Sequence, residues 1–312
     1  MDINRYSPTY KINKTHMTKL AGYTSEEIFE ILYAIKAMKA KFVAHEETKI
    51  LNGTTIALLF ADTSLRTRSA LEIGTKQLGA ECVLLPYSAE DMQAGDNVRD
   101  ILNVITRYGV GAIVTRGVNQ ESLDEFMQIS SIPIINSTNE RYVPMQVLCD
   151  LFTIWEKKKK LEGLKMAYVG KGTNTAISGI MGAIKCGIDI SVATPENYAI
   201  PQQYIDRAQQ YGRISVTTNP IEAVKDADIV YTDGYHYHSV TSEEEKAALK
   251  LYKVTPALMS FAKKDALFMH PLPATRGLEV SAEVIDGPNS IVYDQAENRL
   301  HTVKAVFALL VK

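Results

Sequence analysis

The sequence is poor in the residues that mark specialised classes of protein. It contains 3 cysteines in 312 residues, Cys82, Cys149 and Cys186, and their odd number and wide spacing predict neither a disulfide framework nor a metal site. We expect three reduced thiols that pack as small apolar side chains. The formal net charge is only -2, so the chain has no excess of positive charge for nucleic acid or a membrane surface, and we expect neither as a partner.

Long apolar runs are missing as well. No stretch reaches the ~18 apolar residues that a membrane-spanning helix needs. Residues 1–15 lack the apolar core of a secretory signal. The chain also has no visible internal repeat and no low-complexity segment. These absences favour a cytoplasmic globular protein.

What the sequence does contain is an alternation of short β-branched segments with longer amphipathic ones. This alternation is typical of parallel sheets covered by helices on both faces. At this length one core rarely suffices, so two domains of about 150 residues each are expected. We predict an α/β fold of two doubly wound parallel-sheet domains joined by bridging helices. The candidate strands are residues 54–60, 80–85, 111–116 and 132–136, then 164–170, 189–195, 213–218, 228–233, 266–270 and 290–295.

The predicted junction between the domains lies within residues 137–163, where an amphipathic segment ends in a run of lysines. Such a run is typical of the solvated last turn of a helix. We place the first domain at residues 1–140 and the second at 141–296. The C-terminal helix, 297–312, is expected to pack back on the first domain.

The segment "FADTSLRTRSALEIG" (60–74) joins a strand to a helix and carries two arginines. A helix N-terminus offers free backbone N–H groups and a positive partial charge, which together attract anions. Ser64 and Thr67 add hydroxyl groups, while Arg66 and Arg68 add planar forks that suit phosphate or carboxylate oxygens. The segment therefore predicts a phosphate cradle.

Further cationic side chains follow other predicted strands or the segments after them. In open α/β sheets, ligands bind beyond the carboxyl ends of the strands. A shared anion site explains this placement better than chance does. The residues concerned are Arg116, His270, Arg276 and Arg299.

Several segments, in chain order, carry a family resemblance: "FADTSLRTRSALEIGTKQLGAE", "DMQAGDNVRDILNVITRYGVGAIVTR", "VPMQVLCDLFTI", "GLKMAYVGKGTNTA", "YTDGYHYHSV", "MHPLPATRGLEV" and "DQAENRLHTVKAVFALL". Together they resemble the aspartate and ornithine carbamoyltransferase family, from about residue 20 to the end of the chain. "LPATRGLEV" and "AENRL" are more similar to the ornithine type. The resemblance makes the first domain the carbamoyl-phosphate-binding domain and the second the domain that binds the amine or amino acid.

The resemblance implies transfer of the carbamoyl group of carbamoyl phosphate to an amine such as ornithine, with release of phosphate and without a metal or organic cofactor. Catalysis would then rest on orientation and electrostatics. Arg116 and Arg299 would polarise the carbamoyl group. A homotrimer is implied too, with Gln93 at the position of a loop that completes a neighbouring site. The residues implied to bind carbamoyl phosphate are Ser64, Leu65, Arg66, Thr67, Gln93, Arg116, Gln146 and Arg299.

The sequence departs from the family pattern on the carbamoyl side. Val143 stands where the family's HPTQ motif has a histidine, which donates to the carbamoyl oxygen. Losing one such donor typically costs ~2.7–4 kcal/mol of barrier. Gln146 keeps the last position of the motif and is a candidate partner for the carbamoyl amide.

The amine side departs as well. Lys171 stands where an acid is common, and "GYHYHS" replaces the family's SMG loop. Asp233 is a candidate partner for the substrate amine. His270 is a candidate for proton handling, since histidine is the side chain that most often acts as a general acid or base, or else a structural histidine under its loop. The residues implied to bind the amine substrate are Asn174, Asp233, His238, Pro271 and Leu272.

Alternatives remain open on the sequence. The acceptor can be ornithine or another amine. Val143 and Pro271 favour a paralogue that keeps the phosphate cradle but binds an anionic ligand in a regulatory or scaffold role. "VGKGTNTAISG" loosely imitates the dinucleotide turn of an oxidoreductase, but its glycine spacing does not fit GxGxxG, and Thr194 and Pro195 stand where an acid is required.

Overall fold

The computed structural model of the protein describes residues 2–62, 64–87, 98–234 and 242–311. The chain forms two compact units. The N-terminal unit comprises Ser7–Phe152 and Asn298–Lys312, and the C-terminal unit comprises Thr153–Glu297 and Met1–Tyr6. Each unit is built around one parallel sheet, as the alternation of segments predicts.

The N-terminal unit contains a four-stranded parallel sheet in the order β2-β1-β3-β4. Its strands are β1 (Thr55–Phe60), β2 (Glu81–Pro86), β3 (Val110–Arg116) and β4 (Ile134–Thr138). From β1 the chain first adds β2 on one side and then returns to add β3 on the other. The strand order therefore reverses between β1 and β3, and ligands of open α/β sheets bind at such a switch point.

The helices of this unit alternate with its strands along the chain. They are α1 (Ser25–Val43), α2 (Leu65–Gln77), α3 (Val98–Arg107) and α4 (Gln120–Ile129), with α5 (Pro144–Lys158) beginning in this unit. A capping box begins α1, because the Thr24 side chain accepts from the Glu27 N–H and the Glu27 carboxylate accepts from the Thr24 N–H. Fully buried residues from β1, β3 and α4 form the core, among them Ala57, Ile113, Leu123 and Phe126.

The C-terminal unit contains a five-stranded parallel sheet in the order β7-β6-β5-β8-β9. Its strands are β5 (Lys165–Val169), β6 (Asp189–Ala193), β7 (Ile214–Thr217), β8 (Ile229–Tyr231) and β9 (Leu267–Met269). Here the strand order reverses between β5 and β8, which gives this sheet its own switch point. Its described helices are α6 (Asn174–Lys185), α7 (Gln202–Gln209), α8 (Pro220–Val224), α9 (Glu243–Leu249), α10 (Pro256–Met259), α11 (Ala282–Ile285) and the start of α12 (Val292–Leu310).

One strand prediction is wrong. Residues 290–295 are not a strand: Ser290 forms a single bridge with Phe268, and α12 begins at Val292. The buried positions Val292, Gln295 and Asn298 recur at helical spacing, and residues 301–307 further along α12 are all buried. The short β-branched stretch that suggested a strand is the first turn of this helix. The other strand predictions overlap strands of the structure.

Cys82, Cys149 and Cys186 are not disulfide-bonded, and burial raises the pKa of the Cys186 thiol to about 12. None of the described helices combines the length and the apolar character needed to traverse a lipid bilayer.

The core of the N-terminal unit should depend on Phe126, which α4 buries completely against the sheet. We expect Phe126→Ala to lower the free energy of unfolding by about 3–5 kcal/mol, because it leaves a cavity. Tyr108→Ala, at a side chain that is 80% exposed, is the control and should change stability by less than about 0.5 kcal/mol. Urea unfolding followed by circular dichroism measures both, and equal losses would contradict this assignment of the core.

Candidate active site

The N-terminal unit presents the start of α2 at its switch point. Ser64 is the N-cap residue, in extended conformation, and its Oγ accepts from the Thr67 N–H at 3.4 Å. A capped helix start still directs backbone N–H groups and a positive partial charge outward. The predicted strand-to-helix junction is therefore present, with both hydroxyl residues buried.

Arg116 is delivered to this junction by β3. It is the last residue of the strand and pairs in register with Phe60, the last residue of β1. The residue is only 5% exposed. Its Nε donates to Oδ1 of Asp62, and its Nη1 donates to Oγ1 of Thr67 at 3.4 Å.

Arg299 reaches the same hydroxyl from α12. Its Nη1 donates to Thr67 Oγ1 at 3.1 Å, and the Ser64 Oγ donates to the same oxygen at 3.1 Å. A hydroxyl oxygen has two lone pairs and no charge. Two guanidinium ions therefore share one neutral acceptor beside a helix N-terminus, an arrangement that favours an added anion. Thr67, Arg116 and Arg299 together are named the arginine cluster.

The other residues predicted for the phosphate cradle lie as follows. Leu65 is the first residue of α2, and its side chain is 82% exposed, so only its backbone is suited to anion binding. Arg66 is partly buried on the same turn. Arg68 does not join the cluster, because its Nε donates to Glu72 at 2.7 Å in an exposed pair. Gln93 lies outside the described residues.

Gln146 is buried on the first turn of α5. Its Nε2 donates to Oδ1 of Asp150 at 2.6 Å. Its Oε1 has no hydrogen-bond partner among the described residues, although the atom is inaccessible to solvent. A buried acceptor without a donor is costly, so this oxygen is suited to receive an N–H group from a ligand. Val143, the residue before the helix, is 5% exposed.

In the C-terminal unit, Asp233 and Thr173 meet at the switch point between β5 and β8. Thr173 is the N-cap of α6, and its Oγ1 accepts from the Ala176 N–H at 3.2 Å. The same hydroxyl donates to Asp233 Oδ2 at 3.0 Å, while the Gly234 N–H donates to Oδ1 at 2.8 Å. The carboxylate, 5% exposed, is thus held at both oxygens.

Neighbouring residues brace the turn that carries Thr173. The Tyr168 hydroxyl donates to the Lys171 carbonyl at 2.6 Å, and the Lys171 Nζ donates to Glu245 Oε1 at 2.6 Å. The Lys171 ammonium also lies 5.6 Å from the centroid of the Tyr198 ring. Asn174, on the first turn of α6, accepts from the Thr175 N–H through Oδ1. His238 lies outside the described residues, as do Tyr235, His236 and Tyr237.

His270 follows β9 and is fully buried. Its Nδ1 accepts from the Leu272 N–H at 2.9 Å, and its Nε2 lies 3.3 Å from Oε1 of Glu279. Glu279 Oε1 also accepts from the Thr275 N–H at 2.6 Å. Both ring nitrogens therefore face protein groups, an arrangement suited to holding the loop of Pro271 and Leu272 in place.

This loop adopts an uncommon backbone conformation beside Asp233. Leu272 has φ 55, in the left-handed region that a leucine rarely occupies. A Cβ added to Gly234 would lie 2.9 Å from the Pro273 carbonyl oxygen, so the two loops approach each other closely. Arg276 does not point into a shared site: it forms two hydrogen bonds with Asp286 at the surface, and this pairing raises the pKa of Arg276 and lowers that of Asp286.

Comparison with known protein families identifies the family to which the chain belongs. The family model described as the aspartate/ornithine carbamoyltransferase carbamoyl-P binding domain matches residues 15–156, and the model described as the Asp/Orn binding domain of the same family matches residues 162–310. The chain belongs to the aspartate/ornithine carbamoyltransferase family. It is a carbamoyltransferase, and the arginine cluster draws its Thr67 and Arg116 from the part that matches the carbamoyl-P binding domain.

Alignments with individual relatives extend over almost the whole of this chain. The ornithine carbamoyltransferase of Caldicellulosiruptor saccharolyticus is 40% identical over 95% of this chain and 98% of its own, and that of Bacillus subtilis is 40% identical over 91% of each. The structure of ornithine carbamoyltransferase from Pyrococcus furiosus has a TM-score of 0.90 at 38% identity, covering 95% of this chain and 96% of its own.

Sequence reasoning missed three residues of this site. Asp62 and Thr173 act through hydrogen bonds to predicted residues, and Glu279 acts through His270 and the Thr275 N–H. A signal for Thr173 existed, since a threonine directly before a helical pattern is typical of an N-cap. No local signal marks Asp62, because its partner Arg116 is distant in sequence. Glu279 lies close in sequence to Thr275 and His270, but no motif of the sequence indicates these contacts.

The shared hydroxyl of Thr67 generates a direct prediction. Thr67→Val keeps the shape of the side chain but removes the acceptor of Arg116 and Arg299. We expect the affinity for inorganic phosphate to fall about tenfold to a hundredfold, since hydrogen bonds to charged groups contribute about 1.5–3 kcal/mol. Isothermal titration calorimetry measures it.

The matched control is Thr75→Val, at a fully buried threonine further along α2 that is not part of the cluster. It should bind phosphate as the unaltered protein does. If Thr67→Val also retains its phosphate affinity, the hydroxyl does not organise the site.

Proposed function

We propose that this carbamoyltransferase moves the carbamoyl group of carbamoyl phosphate to the side-chain amine of ornithine or of a closely related amine, and releases phosphate. The observation that carries the proposal is the convergence of Arg116 and Arg299 on Thr67 at the start of α2. The relatives described above, which are named ornithine carbamoyltransferases, support the choice of substrates.

In this proposal the phosphate binds first to the start of α2. Ser64, Thr67 and the backbone N–H groups of Leu65 and Arg66 face its oxygens, and the helix dipole favours its charge. The Arg66 guanidinium adds a further positive group on the same turn. A phosphate dianion relieves the repulsion between the two arginines of the cluster, so binding and preorganisation support each other.

The carbamoyl group is then activated by electrostatics. Arg116 and Arg299 donate to the carbonyl oxygen, on which negative charge develops when the amine attacks. The buried Oε1 of Gln146 accepts an N–H of the carbamoyl amide and orients the group. The new C–N bond forms as the C–O bond to phosphate breaks, the proton lost by the attacking amine passes to the departing phosphate, and no covalent enzyme intermediate is required.

On the amine side, Asp233 is the proposed partner of the substrate amine. Its carboxylate is held by the Thr173 hydroxyl and the Gly234 N–H, so its orientation is fixed before the substrate arrives. Asn174 and the backbone of Pro271 and Leu272 complete the proposed pocket, and His238 is a further candidate. We assign His270 a positioning role, because its Nδ1 accepts from the Leu272 N–H of the loop and the side chain is fully buried.

We also propose that the enzyme is a homotrimer in which Gln93 of a neighbouring subunit completes each carbamoyl-phosphate site. The family resemblance of the segment "DMQAGDNVRD" supports this assembly. Size-exclusion chromatography with light scattering tests it, and a monomer at assay concentration that retains full activity would contradict it.

A phosphate-release assay with carbamoyl phosphate and a panel of amines tests the function. Ornithine is expected to give the highest rate, with diamines and shorter or longer diamino acids as comparison substrates. If no amine supports turnover while calorimetry still shows phosphate binding, the chain is a non-catalytic binder of anions. Rates that peak at another amine would correct the acceptor and leave the carbamoyl transfer in place.

Val143 is a test of how the carbamoyl oxygen is stabilised. We expect Val143→His to raise turnover, because an imidazole at the start of α5 adds a donor to that oxygen. One such donor can be worth about 10²–10³ in kcat. Val143→Leu, which adds no donor, is the control and should not raise kcat. A histidine variant that is folded but no faster would mean that the pocket has been rebuilt around valine.

The close approach of Gly234 to the loop of Leu272 gives a test of the amine side. In Gly234→Ala the new Cβ meets the Pro273 carbonyl and must displace backbone. We expect the KM for the amine to rise roughly fivefold or more, with the KM for carbamoyl phosphate nearly unchanged. Gly179→Ala, on α6 with open space around its Cα, is the control. Equal rises in both KM values would place Gly234 outside the amine pocket.

A further inference from the structure

Asp62 is a carboxylate built into a site that otherwise gathers positive charge. It follows β1 by two residues, and its Oδ1 accepts from the Nε of Arg116. The Arg116 side chain is 6% exposed and that of Asp62 is 50% exposed, so the pair spans the boundary between the buried site and solvent.

The local backbone makes room for this carboxylate. Gly117, directly after β3, has φ 73, a conformation that favours glycine. A Cβ at this position would lie 3.4 Å from Asp62 Oδ2 and 3.1 Å from the Ala61 Cβ. The turn after β3 therefore packs closely against the segment that carries Asp62, and it keeps the acid next to Arg116.

The contact fixes the orientation of the Arg116 fork. A guanidinium group is planar, so the direction of Nε also sets the directions of Nη1 and Nη2. With Nε directed to Asp62, Nη1 donates to Thr67 Oγ1. Nη1 of Arg116 is thereby directed to the same oxygen that Arg299 contacts.

The contact also changes the charge of the site. Arg116 and Arg299 carry two positive charges that share a neutral oxygen, and Asp62 offsets one of them. When a phosphate dianion binds the same guanidinium groups, the carboxylate is a nearby like charge and opposes it. Asp62 must therefore weaken the binding of phosphate while it holds the arginine that the reaction needs.

We propose that Asp62 is a positioning residue that orients Arg116 for carbamoyl transfer and limits the affinity of the site for phosphate, an inference that rests on the proposed function. Phosphate is both the leaving group and the part of the substrate that the site holds. Binding it more tightly stabilises ground state, transition state and product alike, and does not raise kcat. A carboxylate beside the guanidinium groups allows phosphate to leave.

The experiment compares Asp62→Asn with the unaltered protein in two measurements. Calorimetry with inorganic phosphate needs no turnover, and we expect the variant to bind phosphate roughly three- to tenfold more tightly, the size expected for removing one charge from a partly solvent-screened site. In the transfer assay we expect a lower kcat together with a lower KM for carbamoyl phosphate. A change that only destabilised the fold would not tighten binding.

Two further variants complete the design. Asp62→Ala also removes the charge and should tighten phosphate binding in the same direction, so the result does not depend on one variant folding. Glu72→Gln removes an exposed carboxylate from α2, the partner of Arg68, and should alter phosphate affinity by less than about twofold.

The outcomes separate the inference from the proposed function. If the unaltered protein binds no phosphate, the phosphate site itself is refuted. If it binds phosphate and both Asp62 variants bind it equally or more weakly, the inference on Asp62 alone is overturned. An Asp62→Asn variant that binds phosphate more tightly but keeps its full kcat overturns the positioning role.

Discussion

The carbamoyl-phosphate side of this enzyme depends on one constraint. Two guanidinium ions share a single uncharged hydroxyl oxygen. Arg116 comes from the end of a strand and Arg299 from a helix near the C-terminus, yet both donate to Thr67. Like charges converge in this way only where the surrounding structure fixes them, and the site is then prepared for an anion. The N-terminus of α2 adds to the same field.

The sheet explains why these groups meet. Parallel strands bring their carboxyl ends to one edge, and the reversal of strand order between β1 and β3 opens a crevice there. Phe60 and Arg116 are in register at that edge, so the start of α2 and the arginine share one position in the fold. The second sheet repeats the scheme, with Thr173 and Asp233 at the switch point between β5 and β8. Each unit thus presents one prepared group of polar side chains.

Much of this arrangement could be predicted from the sequence. The alternation of strands and helices, the strand-to-helix junction at Ser64 and the position of Arg116 at the end of a strand follow from local pattern alone, whereas Arg299 comes from a helix. Arg66 and Arg68 show the limit of prediction from local pattern. Residues two apart on a helix point roughly 200° apart, so the two arginines could not both face one ligand. Arg68 instead pairs with Glu72, and Arg276 with Asp286, because acids lie within reach on the same surface. The Arg68–Glu72 pair joins positions i and i+4 of one helix, so its spacing alone could have indicated it.

The contacts that orient Arg116 and Asp233 could not be predicted from the sequence. Asp62 and Arg116 are far apart along the chain, as are Thr173 and Asp233, and only the assembled sheets bring them together. Histidine is a residue type suited to proton transfer. The burial of His270 and the bond that it accepts from the Leu272 N–H instead favour a role in holding the loop in place. The strand prediction for residues 290–295 was wrong for a different reason. A short apolar run fits a strand and a buried helical turn equally well.

A crystal structure with carbamoyl phosphate or inorganic phosphate bound would show whether the arginine cluster holds the phosphoryl group. We expect that group at the start of α2, with an oxygen of the ligand within about 2.7–2.9 Å of a guanidinium nitrogen of both Arg116 and Arg299. A ligand bound away from the arginine cluster, with Thr67 still holding both guanidinium groups, would contradict it.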